Sequence, residues 1–373
     1  MRPLRIHIFA HSLVSDWSHG SAHFLRGLAR SLMQMGHRVR CHEELGSWSL
    51  VNLVRTEQER SIDAIDQFRS QFRELDIHFY ERKDGLRDFL KSDLRNADVV
   101  LLHEWNEPDA INTVLSLKSE LRFKALFLDT HHRAYTRAGE MLKFHLHLCD
   151  GVLAAGEPIR KIYTDGFGIR RAWTFHEAAD IEHFYPRALP KKTDLVWMGN
   201  WGDEARTAEM EEFLVAPTSA LPDLKVRAYG VRYPAEAVDW MLDAGIDFRG
   251  YLPNLDAPRE YAEAVLALHI PRKQYTNGLA GVPSTHIFEA LACGTTLISA
   301  PWDDLEHLFR PEDFVRVRNS EDAQAKIEWL LKDESARSQI ADSGLQTIRA
   351  KHTCRHRAEE LTSICDEVMR VAA

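Results

Sequence analysis

Short β-rich runs alternate with longer amphipathic stretches from one end of the chain to the other. The runs fall at 4–10, 38–42, 99–103, 125–129, 151–154 and 172–175, and again at 194–198, 225–229, 247–249, 267–270, 296–299 and 314–317. Between them lie helical patterns such as 19–35, which stops before Gly36, a residue suited to closing a helix. Strands separated by helices require crossover connections, so the chain is expected to build parallel sheets from right-handed βαβ units. The alternation pauses at 176–192, around Pro186 and Pro190, which is the expected linker. Helices are expected at 320–331, 334–350 and 354–371. The expected fold is therefore α/β, with two Rossmann-like domains facing across a cleft and a helical C-terminal tail. Its parts are an N-terminal domain over 1–180, a second domain over 181–352, and a last helix over 353–373 that packs back on the first domain. Open parallel sheets bind ligands at the carboxyl ends of their strands, so a two-substrate cleft is expected.

Composition narrows the class. With 373 residues, 45% of them hydrophobic, the chain has ample material for two buried cores. Its net charge of −9 disfavours a nucleic-acid backbone as partner. The five cysteines are scattered and never form CxxC, which excludes a zinc ribbon and suits a reducing, cytoplasmic setting. No apolar run is long enough for a membrane span. No GxGxxG follows either domain's first strand, which argues against a dehydrogenase. Among the 19 histidines, the pairs His131-His132, His145-x-His147 and His103-Glu104 all lack metalloenzyme spacing, so no metal is expected.

The segment Gly281-Val-Pro-Ser-Thr-His-Ile-Phe-Glu-Ala-Leu-Ala-Cys-Gly294 carries the most chemistry. Pro283 suits a helix start, and Ser284 and Thr285 then sit where backbone N–H groups lack intrahelical partners. Such a terminus attracts anions, a diphosphate among them. Glu289 lies one turn beyond Thr285, in reach of a ribose diol on the same ligand. An ordinary amphipathic helix with a surface glutamate explains the same residues equally well.

Phe288-Glu-Ala-Leu-Ala-Cys-Gly294, with the strand and Pro301-Trp302 after it, resembles the C-terminal domain of GT-B glycosyltransferases of the group 1, family 4-like type. Within that type it is most similar to the CgeB-like branch. Asp194-Leu-Val-Trp-Met-Gly-Asn200 resembles the first strand and loop of that domain, and Ala179-Asp-Ile-Glu-His-Phe-Tyr-Pro186 the linker before it. The stretches Ala341–Gly344 and His352–Arg357 resemble the family's closing helices.

The resemblance implies a hexosyl-type transferase that uses a nucleotide-diphosphate sugar as co-substrate, needs no metal or other cofactor, and retains anomeric configuration. The second domain then holds the donor. Ser284 and Thr285 contact phosphate, Glu289 the ribose, His286 belongs to the donor site, and Gly199 and Asn200 line the loop. Arg206, Arg272 and Lys273 are the candidate cations. The family's first glutamate, eight residues before the second, falls on Gly281, so that carboxylate is missing. The first domain then takes an acceptor that the sequence does not identify. His19, Gly20 and Ser21 occupy the family's glycine-rich loop, of which Gly20 alone matches. Thr130-His-His132 resembles its T-x-H, selecting His132 with His131 one register away, and Glu104 frames the acceptor. A nucleotide-sugar epimerase and a non-catalytic sugar-nucleotide binder share this fold and remain alternatives.

Overall fold

The computed structural model describes residues 2–202 and 206–370. Residues 371–373, the end of the expected tail helix, lie outside the described residues. Two units divide the chain. One contains residues 2–177 with the terminal helix Cys354–Arg370, and the other is Ala178–Thr353.

The first unit is a seven-stranded parallel sheet. Its strands are β1 (Arg5–Phe9), β2 (Arg38–Glu44), β3 (Ile77–Tyr80), β4 (Val99–His103), β5 (Lys124–Asp129), β6 (Gly151–Ala154) and β7 (Ala172–Thr174), in the order β3-β2-β1-β4-β5-β6-β7. β4 is Val-Val-Leu-Leu-His and buried at every position, as a central parallel strand covered on both faces must be. β3 has no counterpart among the expected strands. It is an edge strand whose Ile-His-Phe-Tyr sequence is too short and too polar to stand out. The helix Ala22–Gln34 stops ahead of Gly36, where it was expected to. The terminal helix packs along it, burying Ala358, Leu361, Cys365 and Val368 at helical spacing.

The second unit has six parallel strands in the order β10-β9-β8-β11-β12-β13. These are β8 (Thr193–Met198), β9 (Val226–Tyr229), β10 (Ile246–Phe248), β11 (Ala264–His269), β12 (Thr296–Ser299) and β13 (Val315–Arg316). Alternate residues feed two apolar layers. Leu195, Trp197, Leu266 and Leu268 enter one, while Val196, Met198, Ala267 and Leu297 enter the other. The stretch expected as a linker is anchored in this unit from residue 178. Ala179 and Phe184 are wholly buried in its core, and Ala179 bridges Thr353. All five cysteines are free thiols. No helix among the described residues is long and apolar enough to cross a membrane.

Candidate functional site

Each unit gathers a polar cluster at the carboxyl ends of its strands. In the second unit the helix Thr285–Ala292 begins at Ser284, whose extended backbone (ψ 153°) leads in without a side-chain cap. Its first N–H groups are thus left for a ligand. Ser284 Oγ instead meets His269 Nε2 at 2.8 Å, and His269 Nδ1 meets Ser299 Oγ at 2.8 Å. Ser299 donates its own proton to the Ala300 carbonyl (2.9 Å), so it accepts from His269 Nδ1–H. The bare Nε2 then accepts the Ser284 hydroxyl. Burial pushes the imidazole pKa well below its usual value, so the ring is neutral and acts as a relay between two serines.

Glu289 is buried, in contrast to a surface glutamate. Its Oε2 accepts from His286 Nδ1 at 2.8 Å and lies 3.4 Å from the Tyr261 hydroxyl. Burying a carboxylate behind a helix start is costly unless something uses it, which separates this helix from an ordinary amphipathic one. Two further buried groups at this edge, Thr285 Oγ1 and Trp302 Nε1, have no hydrogen-bond partner among the described residues.

The expected cations behave differently from one another. Arg206 is buried and donates to the Ile270 carbonyl (3.0 Å), the Pro271 carbonyl (3.2 Å) and Glu209 (2.8 Å). Arg272 donates to the Asn200 carbonyl at 3.0 Å. Both brace the loops after β8 and β11, and Lys273 alone of the three is exposed. Gly199 and Asn200 are held in turn. The Tyr233 hydroxyl donates to the Gly199 carbonyl (2.8 Å), and Asn200 Oδ1 accepts from Val231 N–H (3.0 Å). Gly281 sits at φ +98°, with Leu305 Cβ 3.2 Å from where its own Cβ would be. A glutamate there would be strained, so the missing carboxylate has a backbone reason.

In the first unit the loop after β1 is pinned by buried Glu43. That carboxylate accepts from Leu13 N–H (2.7 Å), Val14 N–H (3.0 Å) and Ser12 Oγ (2.6 Å). The loop carries His11 and His19 into a ring cluster. His19 lies 5.3 Å from His11 and 5.5 Å from His103 between ring centroids, and His131 lies 5.1 Å from Trp105. His132 lies tilted against His131 with ring centroids 3.9 Å apart, and its Nδ1 reaches Thr136 Oγ1 at 2.9 Å. Ser21 Oγ is 3.4 Å from Thr130 Oγ1, which also bonds His103 Nε2 at 2.9 Å and Glu104 at 3.3 Å. The Gly20 carbonyl bonds the His23 ring at 3.1 Å. His19, Ser21, Glu104, His131 and His132 thus join one network, with Gly20 at its margin.

Burial sets the charges of this network. His11 is lowered to about 4, and His19 and His103 lie well below their usual value. Glu104 is pushed up by burial and then by Asp129. Asp129 is itself raised by burial to about 6, although the Tyr163 hydroxyl (2.6 Å) and His131 N–H (2.9 Å) hold its anion. Arg133 stacks over Trp105 at 4.9 Å and donates to the Glu104 carbonyl at 2.9 Å. Neutral imidazoles, a tryptophan face and two buried acids suit a hydroxyl-rich ligand better than an anion. Sequence reasoning missed His11, Tyr163, Tyr261 and His269. Two of them, His11 and His269, carry a readable signal, because each lies at the carboxyl end of a strand.

Two doubly wound parallel sheets, each with such a cluster, define the GT-B fold. Residues 206–363 match a family model described as glycosyl transferase-like. HepE from Anabaena, solved in complex with UDP, is 11% identical, with 98% of this chain and 100% of that one covered and a TM-score of 0.69. Sucrose-phosphate synthase from Thermosynechococcus elongatus is 15% identical, with 99% and 100% covered and a TM-score of 0.67. A protein from Listeria monocytogenes provisionally described as a UDP-N-acetylglucosamine 2-epimerase is 9% identical, with 97% and 95% covered and a TM-score of 0.61. At such identities the likeness establishes the fold, and activity has to be argued from the site. No curated protein matches the chain.

Proposed function

We propose that this protein is a cytoplasmic, metal-independent glycosyltransferase of the hexosyl type, akin to family 4 and its CgeB-like branch. It moves a sugar from a nucleotide-diphosphate donor to an acceptor nucleophile with retention. The observation that carries the reading is the start of the helix Thr285–Ala292. There, open backbone N–H groups, the Ser284–His269–Ser299 relay and buried Glu289 meet within the segment that matches the glycosyl transferase-like family.

In this reading the second unit holds the donor. The helix start and Lys273 take the diphosphate, and Glu289 accepts from the ribose hydroxyls. The relay lets Ser284 change role: with the proton on His269 Nε2, Ser284 accepts from the ring and donates to a phosphate oxygen. The acceptor hydroxyl forms its bond to the anomeric carbon as the carbon–oxygen bond to the diphosphate breaks, and its proton passes to a diphosphate oxygen. The first unit's ring cluster positions the acceptor and the sugar. The protein's share is positioning and stabilisation of the charge that develops on the leaving group.

The test is a thermal-shift panel of UDP-, GDP-, ADP- and dTDP-sugars, because a ligand that binds the native state raises its apparent stability. One class of nucleotide should raise the melting temperature, and turnover with it should persist in EDTA. The Listeria neighbour favours a second reading, a nucleotide-sugar epimerase. An epimerase converts the donor with no acceptor present, which product analysis of the donor alone detects.

A further inference from the structure

Away from both ring clusters, three side chains of the first unit converge on the face of the sheet that carries β1 to β3. His7 comes from β1, His42 from β2, and Asp93 is the last residue of the helix Leu86–Asp93. Each offers a ligand atom within 4.8 Å of the other two. His7 Nδ1 and His42 Nε2 are 2.8 Å apart. Two ligands of a tetrahedral ion with bonds near 2.0 Å sit about 3.3 Å apart, so this pair needs to open by only about half an ångström.

We propose that His7, His42 and Asp93 bind one divalent transition-metal ion of the zinc class, with water completing the shell. The ion ties β1 and β2 to the end of the helix Leu86–Asp93. Four observations support it. First, His42 is wholly buried and presents Nε2 to His7, while Asp93 Oδ2, 3.5 Å from the other ring nitrogen, has no hydrogen-bond partner among the described residues and is left to turn to the ion. Second, two imidazoles and one carboxylate are a donor set that zinc takes, with water in the remaining position. Third, a cavity of about 320 Å³, lined in part by His7, Asp93 and Asp76, gives the ion and its water a way in. Fourth, the carboxylate stands at a helix C-terminus, where backbone carbonyls already favour a cation.

Arg5, Arg38 and Arg40 also line the cavity; Arg5 is paired with Asp98, and Arg40 reaches the two acids of the site. Its Nη1 donates to Asp93 Oδ1 at 2.7 Å and its Nε to Asp76 Oδ2 at 2.8 Å. Holding Asp93 by Oδ1, Arg40 leaves Oδ2 turned toward His42. His78 packs edge-on to His42 with ring centroids 6.1 Å apart, its Nδ1 3.2 Å from Asp93 Oδ1 and its Nε2 3.2 Å from Asp76 Oδ1. Nitrogen and carboxylate donors together suit zinc, nickel or cobalt better than magnesium or calcium.

The experiment uses the full chain stripped of metal. Titration with zinc chloride in a calorimeter should give one site per chain. Cobalt(II) should give a visible d–d band that zinc bleaches. His7→Gln, His42→Gln and Asp93→Asn should each lower the affinity roughly tenfold or more. His145→Gln, in the exposed His145-x-His147 pair, should leave it unchanged. Should the buried variants fail to fold, the cobalt-loaded wild type still decides: its proton spectrum should show paramagnetically shifted imidazole N–H signals from two histidines. No binding by the wild type, or one equivalent that survives all three ligand variants, overturns the proposal. So does a cobalt spectrum with signals from one histidine or none.

Discussion

His131 and His132 are neighbours in sequence with different tasks in the fold. His131 lies against Trp105 and lends its backbone N–H to Asp129, whereas His132 stands at the start of the short helix Arg133–Thr136. His131 is therefore committed to the network's frame, and His132 is the better candidate to touch sugar or acceptor. His132→Ala should lower turnover by about 10²-fold with donor affinity nearly unchanged. His131→Ala should lower both turnover and thermal stability. Steady-state kinetics beside donor calorimetry checks both, and full transferase rates in both variants would remove the first unit's cluster from the reaction.

Legibility at this scale followed exposure to local rules. Ser284, Thr285 and Glu289 could be read because helix-start chemistry is local in sequence. The strand end marks the position of His269 but its role could not be read, because its partners Ser284 and Ser299 are 15 and 30 residues away and Ser299 meets it through the pairing of β11 with β12. Arg206 and Arg272 illustrate the converse. Position after a strand suggested cations ready for phosphate, whereas strand ends also expose carbonyls, and those carbonyls hold most of the donors.

Between elements, the loops after β8 and β9 come so close that side chains are excluded. A Cβ on Gly230 would lie 2.0 Å from the Gly199 carbonyl oxygen, a backbone atom that cannot swing aside. Gly230→Ala should push the Gly199–Asn200 loop away, lowering stability by about 2 kcal/mol or more and weakening donor binding with it. Urea unfolding and calorimetry on the same sample measure the two effects, and an unchanged midpoint would contradict the packing described. At this scale the alternation of strands and helices was readable from the sequence almost throughout. β3 was the exception, because an edge strand of four residues needs no apolar run.

The whole molecule carries an unusual load of buried titratable groups, and their signs decide how it responds to pH. His11, His19, His103 and His269 are neutral when folded, with His11 at about 4 and the others well below their usual value, whereas in the unfolded chain they titrate near 6.5. Between those values the unfolded state binds more protons, so stability is lost as pH falls from 6.5 toward 4. Asp129 and Glu104 work the other way. Their folded values are raised, so they penalise the native state at neutral pH and release that penalty as pH falls. His7, His37 and His42 are lowered likewise, and Glu43 and Glu360 raised, so seven histidines stand against four acids and the net is a loss of stability between pH 7 and pH 5.5. Urea titrations of metal-free protein at the two values test this, and equal or greater stability at pH 5.5 would contradict it.

The claim on which the account turns is that a nucleotide diphosphate sits at the start of the helix Thr285–Ala292 and is read by Glu289. The direct measurement is calorimetric titration of UDP, GDP, ADP and dTDP into the wild-type protein and into Glu289→Ala. One nucleotide should bind the wild type at a single site. The variant should keep its fold but lose about 1.5–3 kcal/mol of that binding, the worth of a charge-assisted hydrogen bond to the ribose. Binding of equal strength by both proteins, or no binding of any of the four by the wild type, would contradict the account.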